Sequence, residues 1–299
     1  MQGAARLTIL GALAVGGCGT EHGPFRPAGE TGPSALEEER FVARLYLDLT
    51  GERPSDEVMR GALARLAADG NVVSTRAAMA NELLATRAFA DLWVEETELD
   101  AFGGARREDV YDLFCSVFLT IEPSCEACVV DTQDFCACDC ETVRDLAAER
   151  EVLRRAAEEL AAGDPSVDVD RRIASSLAFQ VNGGSGDGIA TAMFGTFLGR
   201  PAEAEEMRQV RAFVLGDGIP NMQAILFHQT GETYADLVDI VFASEPYRDA
   251  LVDRVFFRYL GRFATPAELA HFSAKLDPTA PDVRALIVSV TSSREYFEQ

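Results

Sequence analysis

The 299-residue chain has little of what most catalytic sites are made from. Its three histidines, His22, His228 and His271, are scattered and leave little material for a general base. G-x-S-x-G, H-E-x-x-H and a Ser/His/Asp arrangement are all absent. No Lys/Arg cluster stands out and the net charge is −22, which excludes nucleic acid and anionic headgroups as natural partners. Acidity on this scale keeps a chain soluble without asking for a bound cation. Beyond Val15 no apolar run approaches the about 20 residues needed to span a bilayer, so the body is expected to be soluble.

What is present begins with an address. Arg6 precedes the apolar run Leu7 to Val15, and small residues lead into Cys18, the layout of a signal peptide over residues 1–17. Val15-Gly16-Gly17-Cys18 resembles the bacterial lipobox, which implies that Cys18 is diacylated and becomes the mature N-terminus. Acyl chains contribute about 0.8 kcal/mol per buried CH₂, enough together for a lasting membrane anchor. Residues 18–33, rich in Gly, Pro and Thr, read as a lipidated flexible tether. Gly19 stands where Asp would retain an enterobacterial lipoprotein at the inner membrane. By that resemblance the expected location is the outer membrane, on its periplasmic side or at the cell surface. Such a compartment is oxidising.

The body carries an internal repeat anchored on Gly51, Gly199 and Gly261. Nine, six, five and two residues before each glycine stand Val42, Leu45, Tyr46 and Leu49; Ala190, Met193, Phe194 and Phe197; and Val252, Val255, Phe256 and Tyr259. This is one face of a helix, and the glycine falls where a helix end wants left-handed backbone. A second helix is expected after each glycine, buried through Met59, Ala62 and Leu66; Met207, Val210 and Val214; and Leu269, Phe272 and Leu276. Pro54-Ser55-Asp56, Pro201 and Thr265-Pro266 open these helices. A third helix is expected to close each copy and to end in an aromatic, with Leu83, Val241 and Val290 aligned six residues before Phe89, Tyr247 and Tyr296. Ser34 and Glu37 form a capping box at the start of the first helix. The expected fold is all-α: three related units of about three helices packed together, over residues 34–94, 189–251 and 252–299.

Two motif resemblances accompany the repeat. RFVARLYLDLTGERPSDEVMRGAL with ELLATRAFADLW resembles a domain of unknown function in secreted bacterial proteins, of the R-x-x-L-D-L-T-G type. VDRVFFRYLGRFATPAELAHF with SSREYF is similar to a repeat domain of unknown function in bacterial surface proteins, of the LGR-x-P and S-x-EY type. The first often accompanies cytochrome c modules, but C-x-x-C-H is absent here and no haem carries over. The resemblances imply fold and location, with no catalytic residue.

Residues 95–188 read as an insertion containing Cys115, Cys125, Cys128, Cys136, Cys138 and Cys140. Six cysteines in an oxidising compartment predict three disulfides, with fifteen connectivities open, each worth about 2–4 kcal/mol. The competing readings are a zinc set built on Cys125-x-x-Cys128 with thiolates from 136, 138 and 140, and a redox-active pair at Cys125 and Cys128. A helix follows, with Leu146, Leu153, Ala157 and Leu160 as its buried stripe and Gly163 as its stop. Asn182 to Gly188 reads as a linker, lacking the G-K-[ST] of a phosphate loop. Asp164, Asp168 and Asp170 lack the glycine and closing glutamate of a calcium loop. Glu95 to Asp100 reads as a solvated helix face.

The sequence thus predicts a lipid-anchored envelope protein that binds or scaffolds another envelope protein or a surface polymer. It assigns no catalytic residue, no metal ligand and no cofactor. The alternative is a redox or metal-binding enzyme, or an electron-transfer accessory, using the cysteine insertion.

Overall fold

The computed structural model describes residues 33–104, 155–216 and 223–299. Cys18, Cys115, Cys125, Cys128, Cys136, Cys138 and Cys140 all lie outside them, as do Leu146 and Leu153. Residues Ser34–Gln299 form one compact unit.

The chain is predominantly helical, as expected. Four helices come first: α1 (Ala35–Thr50), α2 (Asp56–Asp69), α3 (Val73–Leu84) and α4 (Arg87–Ala101). Helical residues 155–162 form α5, followed by α6 (Ser166–Ser175), α7 (Leu177–Gly183), α8 (Gly186–Leu198) and α9 (Ala204–Gly216). A two-stranded hairpin, β1 (Ala224–Leu226) and β2 (Gln229–Gly231), interrupts the helices. The chain ends with α10 (Tyr234–Phe242), α11 (Glu245–Leu260), α12 (Pro266–Ser273), α13 (Arg284–Thr291) and α14 (Arg294–Glu298).

The three glycine turns form as the spacing requires. Gly51, Gly199 and Gly261 end α1, α8 and α11 with φ of 73°, 62° and 68°, a region glycine enters without a Cβ penalty. Of the twelve stripe residues before them, all are buried except half-buried Tyr46. Burying each large apolar side chain contributes about 1.5–3 kcal/mol, so this stripe carries much of the stability. Ser34 and Glu37 make their capping box, and Thr265 and Glu268 make a second. Leu276 is buried but lies beyond α12, which is shorter than its spacing suggested.

The expected third helices end earlier than the sequence reading placed them. Each stops two residues before a hydroxyl or at its neighbour, and the aromatic sits in the first turn of the next helix. Thr86, Ser244 and Ser293 cap α4, α11 and α14 by accepting the backbone N–H of Phe89, Tyr247 and Tyr296, at 3.3, 3.2 and 3.2 Å. Ser176 does the same for Phe179 at 3.1 Å, joining α6 to α7. Every aromatic at these corners is 1% exposed or less, as the side chain folds back under the preceding helix.

The fourth corner reveals a fourth copy of the repeat. Seventeen residues separate Ser34 from Gly51 and Ser244 from Gly261, and the same spacing separates Thr86 from left-handed Gly103, φ 67°. α4 is therefore the first helix of a split copy and α6 its third, with the cysteine segment between them in sequence. The second copy begins at α7, and its first helix is broken into α7 and α8 at Gly183-Gly184-Ser185. That break is a close-packed turn rather than a linker. A Cβ on Gly188 would lie 1.8 Å from the Gly183 carbonyl oxygen, and one on Gly186 3.0 Å from the Arg211 Cα. The sequence divisions at 94/95, 188/189 and 251/252 fall inside α4, α8 and α11.

First helices pack on first helices: α1 on α4, α4 on α8, and α8 on α11. Arg44 of α1 closes the set by donating from Nη2 to the Tyr259 carbonyl at the end of α11, at 2.6 Å. Third helices pair outside this core, α3 with α13 and α6 with α10. Arg76 of α3, 7% exposed, donates to the Ser292 carbonyl at 2.9 Å and ties the first copy to the last corner.

Candidate functional site

The charged residues that helical patterning leaves on the first helices converge where those helices meet. Arg254 and Arg258 are one turn apart on α11, and Glu96 and Asp100 are one turn apart on α4, so each pair shares a helix face. Arg258 forms an ion pair with Glu96. Its guanidinium also lies over the rings of Trp93 and Tyr259, at 5.4 and 5.3 Å. Glu95 to Asp100 is thus solvated only in part: Glu95 and Asp100 are exposed, whereas Thr97 and Glu98 are buried and Glu96 is paired.

Arg254 reaches across to α6. It donates to Asp170 Oδ2 at 3.1 Å and to the Thr196 carbonyl at 3.3 Å, while Tyr247 donates to the same Asp170 oxygen at 2.8 Å. Asp170 is therefore committed to the core and does not converge with exposed Asp164 on a calcium site. These contacts form a polar seam between the helices, and at its other end Tyr296 donates to Asp48 Oδ2 at 2.8 Å and Arg44 to the same oxygen at 3.2 Å. Arg44 also stacks over the Tyr296 ring at 4.3 Å.

Burial tunes these groups. It pushes the Asp170 carboxyl up, against the opposing pull of Arg254 and the Tyr247 hydroxyl. It pushes Glu96 up as well, opposed by Arg258. Desolvation raises Tyr247, Tyr259 and Tyr296 far above the usual phenol range, so all three stay protonated. The Trp93 indole N–H, the Tyr259 hydroxyl and Asp170 Oδ1 are buried with no hydrogen-bond partner among the described residues.

A second arrangement recurs outside the core. Arg200 and Arg262, each just after a turn glycine, make two-pronged pairs with Glu206 and Glu268, at 2.6–2.9 Å. Each guanidinium also covers the aromatic five residues before its glycine, Phe194 at 5.0 Å and Phe256 at 5.2 Å. The pairing holds the Glu268 carboxyl down to about 2. In the first copy Glu52 and Val58 occupy these positions, so the clasp is missing there.

Chemically, the seam ties helices. Its phenols are held neutral, and its aspartates are engaged by arginine and tyrosine. Among the described residues no group of three His, Cys, Asp or Glu side chains is placed to hold a metal ion, and no helix is long and apolar enough to cross a membrane. No known protein family, curated protein or solved structure matches the chain, so the two motif resemblances rest on their quoted residues alone.

Proposed function

We propose that the chain is a lipid-anchored cell-envelope protein, acylated at Cys18, whose helical body is a non-catalytic module that binds or scaffolds another envelope protein or a surface polymer. The observation that carries this reading is how the buried and half-buried arginines are used. Arg44, Arg76, Arg254 and Arg258 each bridge separate helices, so the chemistry of the core goes into holding a fixed shape. A fixed shape favours recognition, because less conformational freedom is lost on binding.

Metabolic labelling with a fatty acid, followed by crosslinking in the native envelope, tests it. Label on the wild type, none on Cys18→Ala, and a discrete crosslinked species are expected. An unlabelled wild type released with the soluble fraction contradicts the anchor, and absence of any crosslinked species contradicts the binding role.

A further inference from the structure

The second copy carries a hairpin that the repeat does not need. In the first copy only Gly70, Asn71 and Val72 join the second helix to the third, whereas β1 and β2 stand between α9 and α10. The pairing sets Leu226 opposite Gln229 around a two-residue turn, with Ile225 opposite Thr230. In such a turn Leu226 and Gln229 exchange hydrogen bonds, so the next pair directs its N–H and C=O groups outward. Ile225 bears this out: its N–H is taken on the outer side by Gln209 Oε1 at 2.9 Å. Thr230 must then turn its own N–H and C=O away from β1 on the opposite edge, where no described residue pairs with them.

That edge is held in place. Phe227 and His228 form the turn at φ of 48° and 64°, where non-glycine residues are strained, and Phe227 is retained by packing on Phe194 at 6.1 Å. Asp236 accepts the backbone N–H groups of Glu232 and Thr233, both at 2.9 Å, fixing the exit of β2. A Cβ on Gly231 would come within 2.5 Å of the Asp236 Cβ, so the close approach requires glycine.

Thr230 and Gln229 form one wall of an open cleft of ≈ 280 Å³, with Ile240 of α10 and Arg171 of α6 among the others. Among the described residues the Arg171 Nε is buried without a hydrogen-bond partner, although its neighbour Arg172 is paired with Glu159. Asp236 and Asp239 share the cleft. The Arg171 charge also acts on Asp168 of the same helix. With three carboxylates around one guanidinium a phosphate or other polyanion is disfavoured, and the anion that suits Arg171 is one singly charged carboxylate.

We propose that this cleft binds a short extended peptide, which adds a strand to β2 through the Thr230 main chain and presents one carboxylate to Arg171. This mode draws affinity from main-chain hydrogen bonds and specificity from the flanking groups. The cleft volume lies just below the about 300–1,000 Å³ of ordinary small-ligand sites, which suits a few residues. The inference deepens the binding-module reading. It fails separately from that reading, because it is tested on purified protein and not by envelope crosslinking.

The test titrates the purified full chain with trialanine, with trialanine amide, with acetyl-Ala-Asp-Ala-amide and with acetate, following amide NMR shifts. Saturable binding of trialanine or of the aspartyl peptide, with the Thr230 amide among the largest shifts, is expected. The tighter of the two identifies the carboxylate as terminal or side-chain. Arg171→Gln should weaken that binding at least tenfold, and so should Thr230→Pro, which removes the outward N–H at an edge position that tolerates proline. Both variants should retain the far-ultraviolet circular dichroism of the wild type. Equal binding of trialanine amide overturns the role of Arg171. Acetate binding as tight as the peptides without a Thr230 shift reduces the site to an anion site and overturns strand addition. No binding by either peptide overturns the proposal.

Discussion

At the Ser244 corner Tyr247 and Arg254 meet on one oxygen of Asp170; at the Ser293 corner Tyr296 and Arg44 meet on one oxygen of Asp48. The donors, acceptor and distances are nearly the same. The surroundings are not: the Asp170 side chain is 1% exposed and that of Asp48 is 26% exposed. Where water reaches the carboxylate it shares the work of solvating the charge, and the ion pair adds little. Where water is excluded, each group depends on the others for its solvation, and removing one leaves a buried charge uncompensated. Closely similar geometry therefore carries different weight at the two corners.

The largest expected effect breaks that comparison directly. Asp170→Ala should destabilise by about 3–5 kcal/mol, since Arg254 and Tyr247 lose their acceptor inside the core. Asp48→Ala should cost about 1–2 kcal/mol, mostly from the Tyr296 hydroxyl left unpaired. Urea unfolding midpoints measure both, and equal losses would show that burial is not the deciding variable. Gly231→Ala should cost about 1–3 kcal/mol by overpacking against Asp236 and the Phe213 ring, 2.5 and 2.8 Å from the new Cβ. Gly70→Ala meets open space and pays only for its left-handed backbone at φ 74°, about 1 kcal/mol. Thermal melting of the two variants separates the terms.

The smallest effect is the most diagnostic, because two carboxylates are shifted in opposite directions. Arg262 holds Glu268 down to about 2, so that pair contributes above the ordinary glutamate range and its contribution is lost as pH falls from about 4.5 through 2. Glu268 is partly exposed, which limits the contribution to about 1 kcal/mol or less. Burial holds Asp170 up from 3.8, so its contribution is fully present in acid and declines as pH rises through its raised value. The deficit of Glu268→Gln should therefore vanish near pH 2, while that of Asp170→Asn should be greatest in acid and shrink towards neutrality. Stability profiles from pH 2 to 7 give both slopes, and parallel slopes would contradict the assignment.

Some of this was legible in the residues. Gly51, Gly199 and Gly261, with their apolar stripes and the Ser34 box, follow from local rules that tertiary packing does not override. The aromatic corners were half visible. Phe89, Tyr247 and Tyr296 stood in register, but the hydroxyl three residues earlier was the better marker, because it assigns them to the next helix. That same pattern at Ile173, Ser176 and Phe179 could have exposed the split copy. Two things hid it: the cysteine segment separates its helices, and its stripe carries Thr97 and Glu98 where the other copies are apolar. The hairpin gave no signal, since Phe227-His228 lacks the Asn-Gly chemistry of such turns. The seam was illegible in principle, because Arg254, Arg258 and Glu96 look like any charged helix face until other helices cover them.

Four related copies close on one another into a single cooperative core held by that seam. Native-state hydrogen exchange tests it most directly, through the buried stripe amides of α1, α4, α8 and α11. Leu45, Val94, Met193 and Val255 are expected to open together, at the free energy of global unfolding. If α1 to α4 instead exchanged through a separate opening well below that energy, the closed core would be contradicted.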